Sequence, residues 1–335
     1  MFKDFFRVVL RPFRMACGAL LRYLHVRRLF RYDRLRFMKN SGTFGTGKKR
    51  EYVQKEKIIM GYHVLEKGLT MPSCRLGFGR EAVLDLMHAI SEYENDFGKS
   101  DGQVDHASRC VKAYLHLHED EQYDMAADAG FWNAVKDFCD ARSGAPAQMM
   151  KFDRDDFFGQ VNSPFEVFAK SRHTVRHFEG TVSDETIEKA VDLARTSPSA
   201  CNRQYVRVHC LRDHKLHEKI YKLQNGNRGF ASAADKLLIV TSDLNGLRWH
   251  EERNDVFTNA GIFIMNLMYA LHYNRLGCCV LNWSVSPDSD KRLRGIIPLK
   301  ESETVVALIA VGHLPDDFLV AASPRKPLQE VLVWH

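Results

Sequence analysis

What this sequence lacks narrows it first. It contains no run of about 18 apolar residues, so no membrane-spanning helix is expected. Its eight cysteines include no C-x-x-C pair. Adjacent Cys278 and Cys279 suit neither an ordinary disulfide nor a zinc site, so the cysteines read as reduced thiols of a cytoplasmic protein. No G-x-G-x-x-G follows a strand pattern, and the glycines of Arg75-Leu-Gly77-Phe-Gly79 do not open a dinucleotide-binding unit. Repeats and low-complexity tracts are absent. Acid is nearly missing from residues 1–50, where only Asp4 and Asp33 face 14 Lys/Arg.

That imbalance places +12 on the first fifty residues. The whole chain carries +6, which leaves −6 for the remainder. A basic end on an acidic body implies an anionic partner for that end alone. Residues 2–39 read as a basic amphipathic helix. Phe2, Phe6, Val9 and Phe13 recur at helical spacing, Arg7, Arg11 and Arg14 share another face, and Pro12 marks a kink or a restart. Such a segment suits the interface of an anionic membrane, at the inner face for a cytoplasmic protein. Packing of its apolar face on the rest of the protein is the alternative. An organelle transit peptide fits the composition less well. The stretch is too apolar for a nucleic-acid arm and matches no such motif, so no nucleic acid is expected.

Three regions follow: the basic segment and its Gly/Ser/Thr linker (1–47), a helical extension (48–160), and a mixed helix-and-strand region (161–335). Helices are predicted over Tyr52–Lys67, with Gly68 as its C-terminal cap, and over Arg80–Phe97, Val104–His118 and Phe131–Ala141. No strand pattern appears before residue 160. Beyond it, Ser183 opens a helix, strands are predicted at Val206–Leu211, Leu237–Thr241, Val280–Trp283 and Val305–Val311, and a long helix spans Asn254–Tyr273. This alternation predicts an α+β layer architecture, with a mixed sheet flanked by helices behind an all-helical extension.

Three clusters carry candidate chemistry. In Arg172-His173-Thr174-Val175-Arg176, two arginines and a hydroxyl suit a phosphate, because guanidinium groups give forked, charge-assisted hydrogen bonds. In Pro198-Ser199-Ala-Cys201-Asn202-Arg203-Gln204, small residues admit a flat ligand, and the amides offer paired donors and acceptors. Gly312 closes the last strand and can free backbone N–H groups for an anion, and Arg325 in Arg325-Lys326-Pro327-Leu328 adds a cation. Each alone reads equally as a solvated loop or polar turn. His116 and His118, two apart on a helix, point away from each other, so no metal site is expected there. No catalytic triad or carboxylate pair stands out.

In this order the clusters resemble the nitroreductase family of flavoenzymes. Arg172-His-Thr-Val-Arg176 is similar to its R-x-S-x-R element, and Pro198-Ser199-x-x-Asn202-x-Gln204 to its P-S-x-x-N-x-Q. Asn259-Ala-Gly-x-x-x-x-Asn266-Leu, Leu276-Gly277, the glycine-ended strand and Arg325-Lys-Pro-Leu complete the series. The resemblance covers about residues 165–335. It implies FMN held at the interface of an intertwined homodimer, with hydride passed from NAD(P)H to a small-molecule acceptor through flavin N5. Arg172, His173, Thr174, Arg176 and Arg325 would hold the phosphate and ribityl chain, with the backbone near Gly312 assisting. Pro198, Ser199, Asn202 and Gln204 would line the same pocket. Two departures stand out: threonine replaces the serine at 174, and Tyr205-Val206 replaces the usual Pro-Trp after the glutamine. The competing reading is a non-catalytic dimeric module for assembly or regulation at the membrane. His63-Val-Leu-Glu66-Lys67-Gly68-Leu69 reads either as a lid over the flavin edge or as an ordinary helix end. Its pairing with such a domain resembles layouts from surface-polysaccharide biosynthesis.

Overall fold

The computed structural model describes residues 2–43, 51–98 and 101–335, with side chains from Gly18 onward. The side chains of Phe2, Phe6, Val9, Phe13, Arg7, Arg11 and Arg14 therefore lie outside the described residues, as does the linker from residue 44. Two compact units are present: Met1–Arg50 with Leu247–Asn254, and Glu51–Gly246 with Asp255–His335.

The first unit is built on α1 (Phe2–Asn40), which continues through Pro12 rather than restarting there. Proline removes one backbone bond, a small share of a 39-residue helix. Arg253 donates a forked pair of bonds to Asp33, at 2.5 and 2.8 Å, and His25 Nε2 lies 2.7 Å from Glu251. Leu20, Leu21, Tyr23, Leu24, Phe30 and Phe37 are exposed along α1.

The second unit starts with α2 (Glu51–Leu69), α3 (Arg80–Phe97), α4 (Gly102–Asp120) and α5 (Ala129–Asp140). Their apolar faces close one core around Ile58, Leu65, Ile90, Val111, Tyr114 and Trp132. Asp101 caps α4 by accepting from the N–H groups of Gln103 and Val104, and Gly98 ends α3 at φ 95. Gly68 is not the cap of α2. The helix runs on to Leu69, and a Cβ at Gly68 would sit 2.0 Å from the Phe78 ring, so close packing selects the glycine. His118 is a satisfied core histidine, receiving the Gly77 N–H at 2.8 Å and donating to Tyr114 O at 2.7 Å.

Then follow β1 (Met150–Asp153), α6 (Arg154–Phe157), α7 (Phe165–Ser171), α8 (Asp184–Ala194), β2 (Val206–Leu211), α9 (His214–Tyr221), β3 (Lys236–Asp243), α10 (Asp255–Tyr273), β4 (Gly277–Asn282), α11 (Pro287–Ile296), β5 (Glu303–Gly312), β6 (Asp317–Val320) and α12 (Leu328–Val331). The main sheet has the order β2-β3-β5-β4. Every pairing in it is antiparallel, so it is not mixed. Strands β3 and β4, joined through α10, do run parallel, but β5 inserts between them. Periodicity shows the β-α-β succession and not the later insertion. The sheet separates two cores: Leu237, Ile239 and Leu308 face α9 and α11, and Leu238, Val240 and Ile309 face α8 and α10. Cys278 and Cys279 fall in opposite cores, which keeps their sulfurs apart. Strand β1, unforeseen in a stretch read as helical, pairs with β6. Four residues give too short an alternation to read, and the partner lies far downstream.

Candidate active site

Residues 172–178 lie extended beside β4. Val175 N–H donates to Cys278 O at 3.2 Å, and Glu179 bridges to His313. Val175 and Phe178 are buried in the core behind this segment. Arg172, Thr174 and Arg176, spaced two apart on extended backbone, line a cleft of about 790 Å³ together with His173, Lys170, Arg325, Ser323, Met265, Tyr269 and His63. Among the described residues, no carboxylate lines it. Arg172 Nε and Nη1 and Arg176 Nε are buried with no hydrogen-bond partner among the described residues. Buried polar atoms are normally paired, so three bare guanidinium nitrogens at one cleft wall are an exception to that rule.

The surrounding groups respond to that charge. Burial, then Arg172 and Arg325, lowers the His173 pKa. Burial, then Arg172 and His173, brings His272 down to about 4. Lys67 is lowered by burial and by Arg176. Burial raises Cys278 to about 12. The histidines beside the guanidinium groups therefore stay neutral near pH 7, and the fixed positive charge is concentrated in the arginines.

The second cluster is elsewhere. Pro198, Ser199 and Gln204 line a pocket of about 190 Å³ with Val206, Asn259 and Phe263. Asn202 adjoins it, accepting from Gln204 Nε2 at 2.8 Å. The two pockets share no lining residue. They flank α10, which gives Asn259 and Phe263 to one and Met265 and Tyr269 to the other. The turn itself is tight: Cys201, Asn202 and Gln204 all have positive φ. Asn259 holds it, accepting from Ala200 N–H at 2.8 Å and donating to Tyr205 Oη at 2.6 Å. Asn266 donates to Ala194 O and Ser197 Oγ. Tyr205 turns inward against Gly246, where a Cβ would lie 2.4 Å from its ring, and Val206 forms the wall. Gly312 lines neither pocket. It is buried opposite Gly277, and a Cβ there would meet Phe178 at 3.0 Å, so close packing also calls for glycine here.

Sequence reasoning left the role of the extension open, and the structure brings it to the cleft. His63 lines the cleft, with Arg176 Nη2 3.5 Å from its Nε2. Glu66, fully buried, accepts from Ser323 N–H at 2.9 Å and from Ser323 Oγ at 3.2 Å, fixing the arm that carries Arg325. Lys67 donates to Gly226 O at 3.1 Å, and His177 donates to Thr70 O at 2.7 Å. Ser323 and Tyr269 carried no motif that would have singled them out, and Met265 sat at a variable position of the Asn259–Leu267 motif.

Residues 169–227 match the Nitroreductase family. No curated protein matches the chain. Among solved structures, a nitroreductase family protein from Streptococcus pneumoniae TIGR4 is 20% identical with a TM-score of 0.43, over 51% of this chain and 100% of its own. A protein assigned as a nitroreductase from Desulfovibrio desulfuricans, solved in complex with FMN, is 21% identical with a TM-score of 0.44, over 52% and 97%. A protein assigned as an NADH oxidase from Clostridium acetobutylicum is 20% identical with a TM-score of 0.43, over 50% and 98%.

Proposed function

We propose that this chain is an FMN-dependent oxidoreductase that moves two electrons from NAD(P)H to a small-molecule acceptor. The observation that carries this reading is three buried guanidinium nitrogens without partners among the described residues, Arg172 Nε and Nη1 and Arg176 Nε, in a cleft that no described carboxylate lines. They fit a phosphate monoester. Arg172 and Arg176 would clamp the phosphate, Thr174 and His173 would bond neighbouring oxygens, and Arg325 would close over it from the arm. FMN, when bound, supplies hydride acceptance and donation at its ring, and the protein orients it and sets the field around it. No side chain in the cleft is needed as acid or base for that exchange. His173 and His272, held neutral, leave the arginine charge undiluted.

The remaining motif residues support a shared site. Pro198, Ser199, Asn202 and Gln204 line or adjoin a pocket too small for a flavin, apart from the arginine cleft. Between the two, α10 exposes Phe257 and Ile262, and nothing crowds Gly261. A homodimer pairing this face would bring one chain's amide cluster to the other's arginines. The test is purification of the full chain. A yellow protein of dimeric mass whose colour bleaches with NADH or NADPH is expected. A colourless protein that rejects added FMN would leave only the non-catalytic module.

A membrane-surface role for residues 1–39 rests on the exposed leucines and aromatics interleaved with arginine along α1. No described helix is long and apolar enough to cross a membrane. Each basic residue near an anionic surface adds on the order of 1 kcal/mol, so co-sedimentation with acidic vesicles should fall with salt and vanish on deletion of 1–39. Equal sedimentation of full-length and truncated protein would end that reading.

A further inference from the structure

Glu66 has a second set of neighbours, on the side of the helical core. Nε2 of His106 lies 2.9 Å from Glu66 Oε1 and 3.4 Å from Cys110 Sγ. One donor atom from each of the three residues falls within 4.8 Å of the others. His106 and Cys110 are four apart on α4 and share a face, and Glu66 meets them from α2. Glu66 and Cys110 are 0% exposed and His106 is 9% exposed.

We propose that Glu66, His106 and Cys110 form a buried structural site for a zinc-class divalent cation. Carboxylate, imidazole and thiolate are the donor types zinc takes. Zinc bonds of about 2.0–2.3 Å in a tetrahedron separate neighbouring donors by about 3.3–3.8 Å; here two pairs lie 2.9 and 3.4 Å apart and all three donors lie within 4.8 Å, so small side-chain shifts would seat the ion. A chelating Glu66 would add its second oxygen as a fourth contact, giving a distorted rather than a regular tetrahedron. Charge also favours it. One divalent cation with one carboxylate and one thiolate is neutral overall, which suits a site closed to water. The outer shell is in place, because Ser323 donates to both Glu66 oxygens from N–H and Oγ. The cation would thereby join α2, α4 and the arm that carries Arg325 to the cleft. The competing arrangement is a hydrogen-bonded His106–Glu66 pair beside a neutral thiol.

The full chain, purified reduced and without chelator, should hold about one zinc per chain. Exchange with cobalt should give the thiolate-to-cobalt charge-transfer absorption. Cys110→Ser should lose that band, and Cys201→Ser, which removes an exposed thiol, should keep it. Ser323→Ala should weaken cobalt binding about 10–100-fold. Wild-type protein that takes up neither metal overturns the site, and so does a band that survives Cys110→Ser. Neither outcome depends on whether FMN binds.

Discussion

Arg142 and Arg172 are the same residue put to opposite uses. In the helical core, Arg142 is used up. It donates to Glu94 at 2.6 and 3.3 Å, to Ser91 Oγ and to Phe138 O, and its guanidinium carbon lies 3.6 Å over the Phe138 ring. At the cleft, Arg172 lies three residues before the Val175 N–H that bonds to β4, and two of its buried nitrogens have no partner among the described residues. A cation that serves the fold is satisfied by the fold. One whose buried nitrogens are left bare, at the wall of a cleft that no described carboxylate lines, is not satisfied by the fold.

The largest effect expected on this contrast comes from the buried acid that ties the two regions. Glu66→Ala should cost about 3–5 kcal/mol in denaturant unfolding, because it strips the partner from His106 and from Ser323. A loss under about 1 kcal/mol would mean the arm is not held there. Next, Arg172→Ala or Arg176→Ala should weaken FMN binding by about 1.5–3 kcal/mol and leave apoprotein stability unchanged or higher. Arg142→Ala should do the reverse, losing stability while FMN titrations match wild type, and Arg203→Ala should also bind FMN normally. Equal FMN affinities across all four variants would dissolve the distinction between the two kinds of arginine.

The pH dependence sharpens it further. Burial, then Arg172 and His173, pushes His272 down to about 4 in the folded chain from the ordinary 6.5 of a free imidazole, so the unfolded chain gains protons first as pH falls. Stability should decline from about pH 6.5 toward 4, on the order of 2 kcal/mol, with His173 acting in the same direction. Glu66, lowered to about 2, adds its own loss only below about 4.5. Bound FMN supplies the missing negative charge, so the loaded protein should show a shallower decline between pH 6.5 and 4.5. Identical slopes with and without FMN would place the anion away from these histidines. The smallest effect should come from His63→Ala, at about 0.5–1.5 kcal/mol in FMN affinity with little change in stability, since the side chain is half-exposed.

Much of this was legible in the chain itself. Local signals set the helix starts: Ser183 caps α8, Asp101 caps α4, and Gly98 stops α3 through its positive φ. Apolar runs marked β3 and β5, which are buried on both faces, while the edge strand β2 showed as alternating Val206, Val208 and Cys210. The arginine pair read as a phosphate site and does line the larger cleft. The sequence could not show that close packing calls for Gly68 and Gly312, since a glycine looks the same whether it caps, binds or yields to a ring. Nor could it show that the amide cluster lies apart from the arginines, or that β5 inserts between β3 and β4. What spacing and residue type determine is what a segment can do within about a turn or a strand of itself. Which arginine stays bare, which carboxylate joins α2 to an arm 257 residues later, and which glycine faces a neighbouring ring were decided only by tertiary contacts, because each depends on atoms brought together from distant parts of the chain.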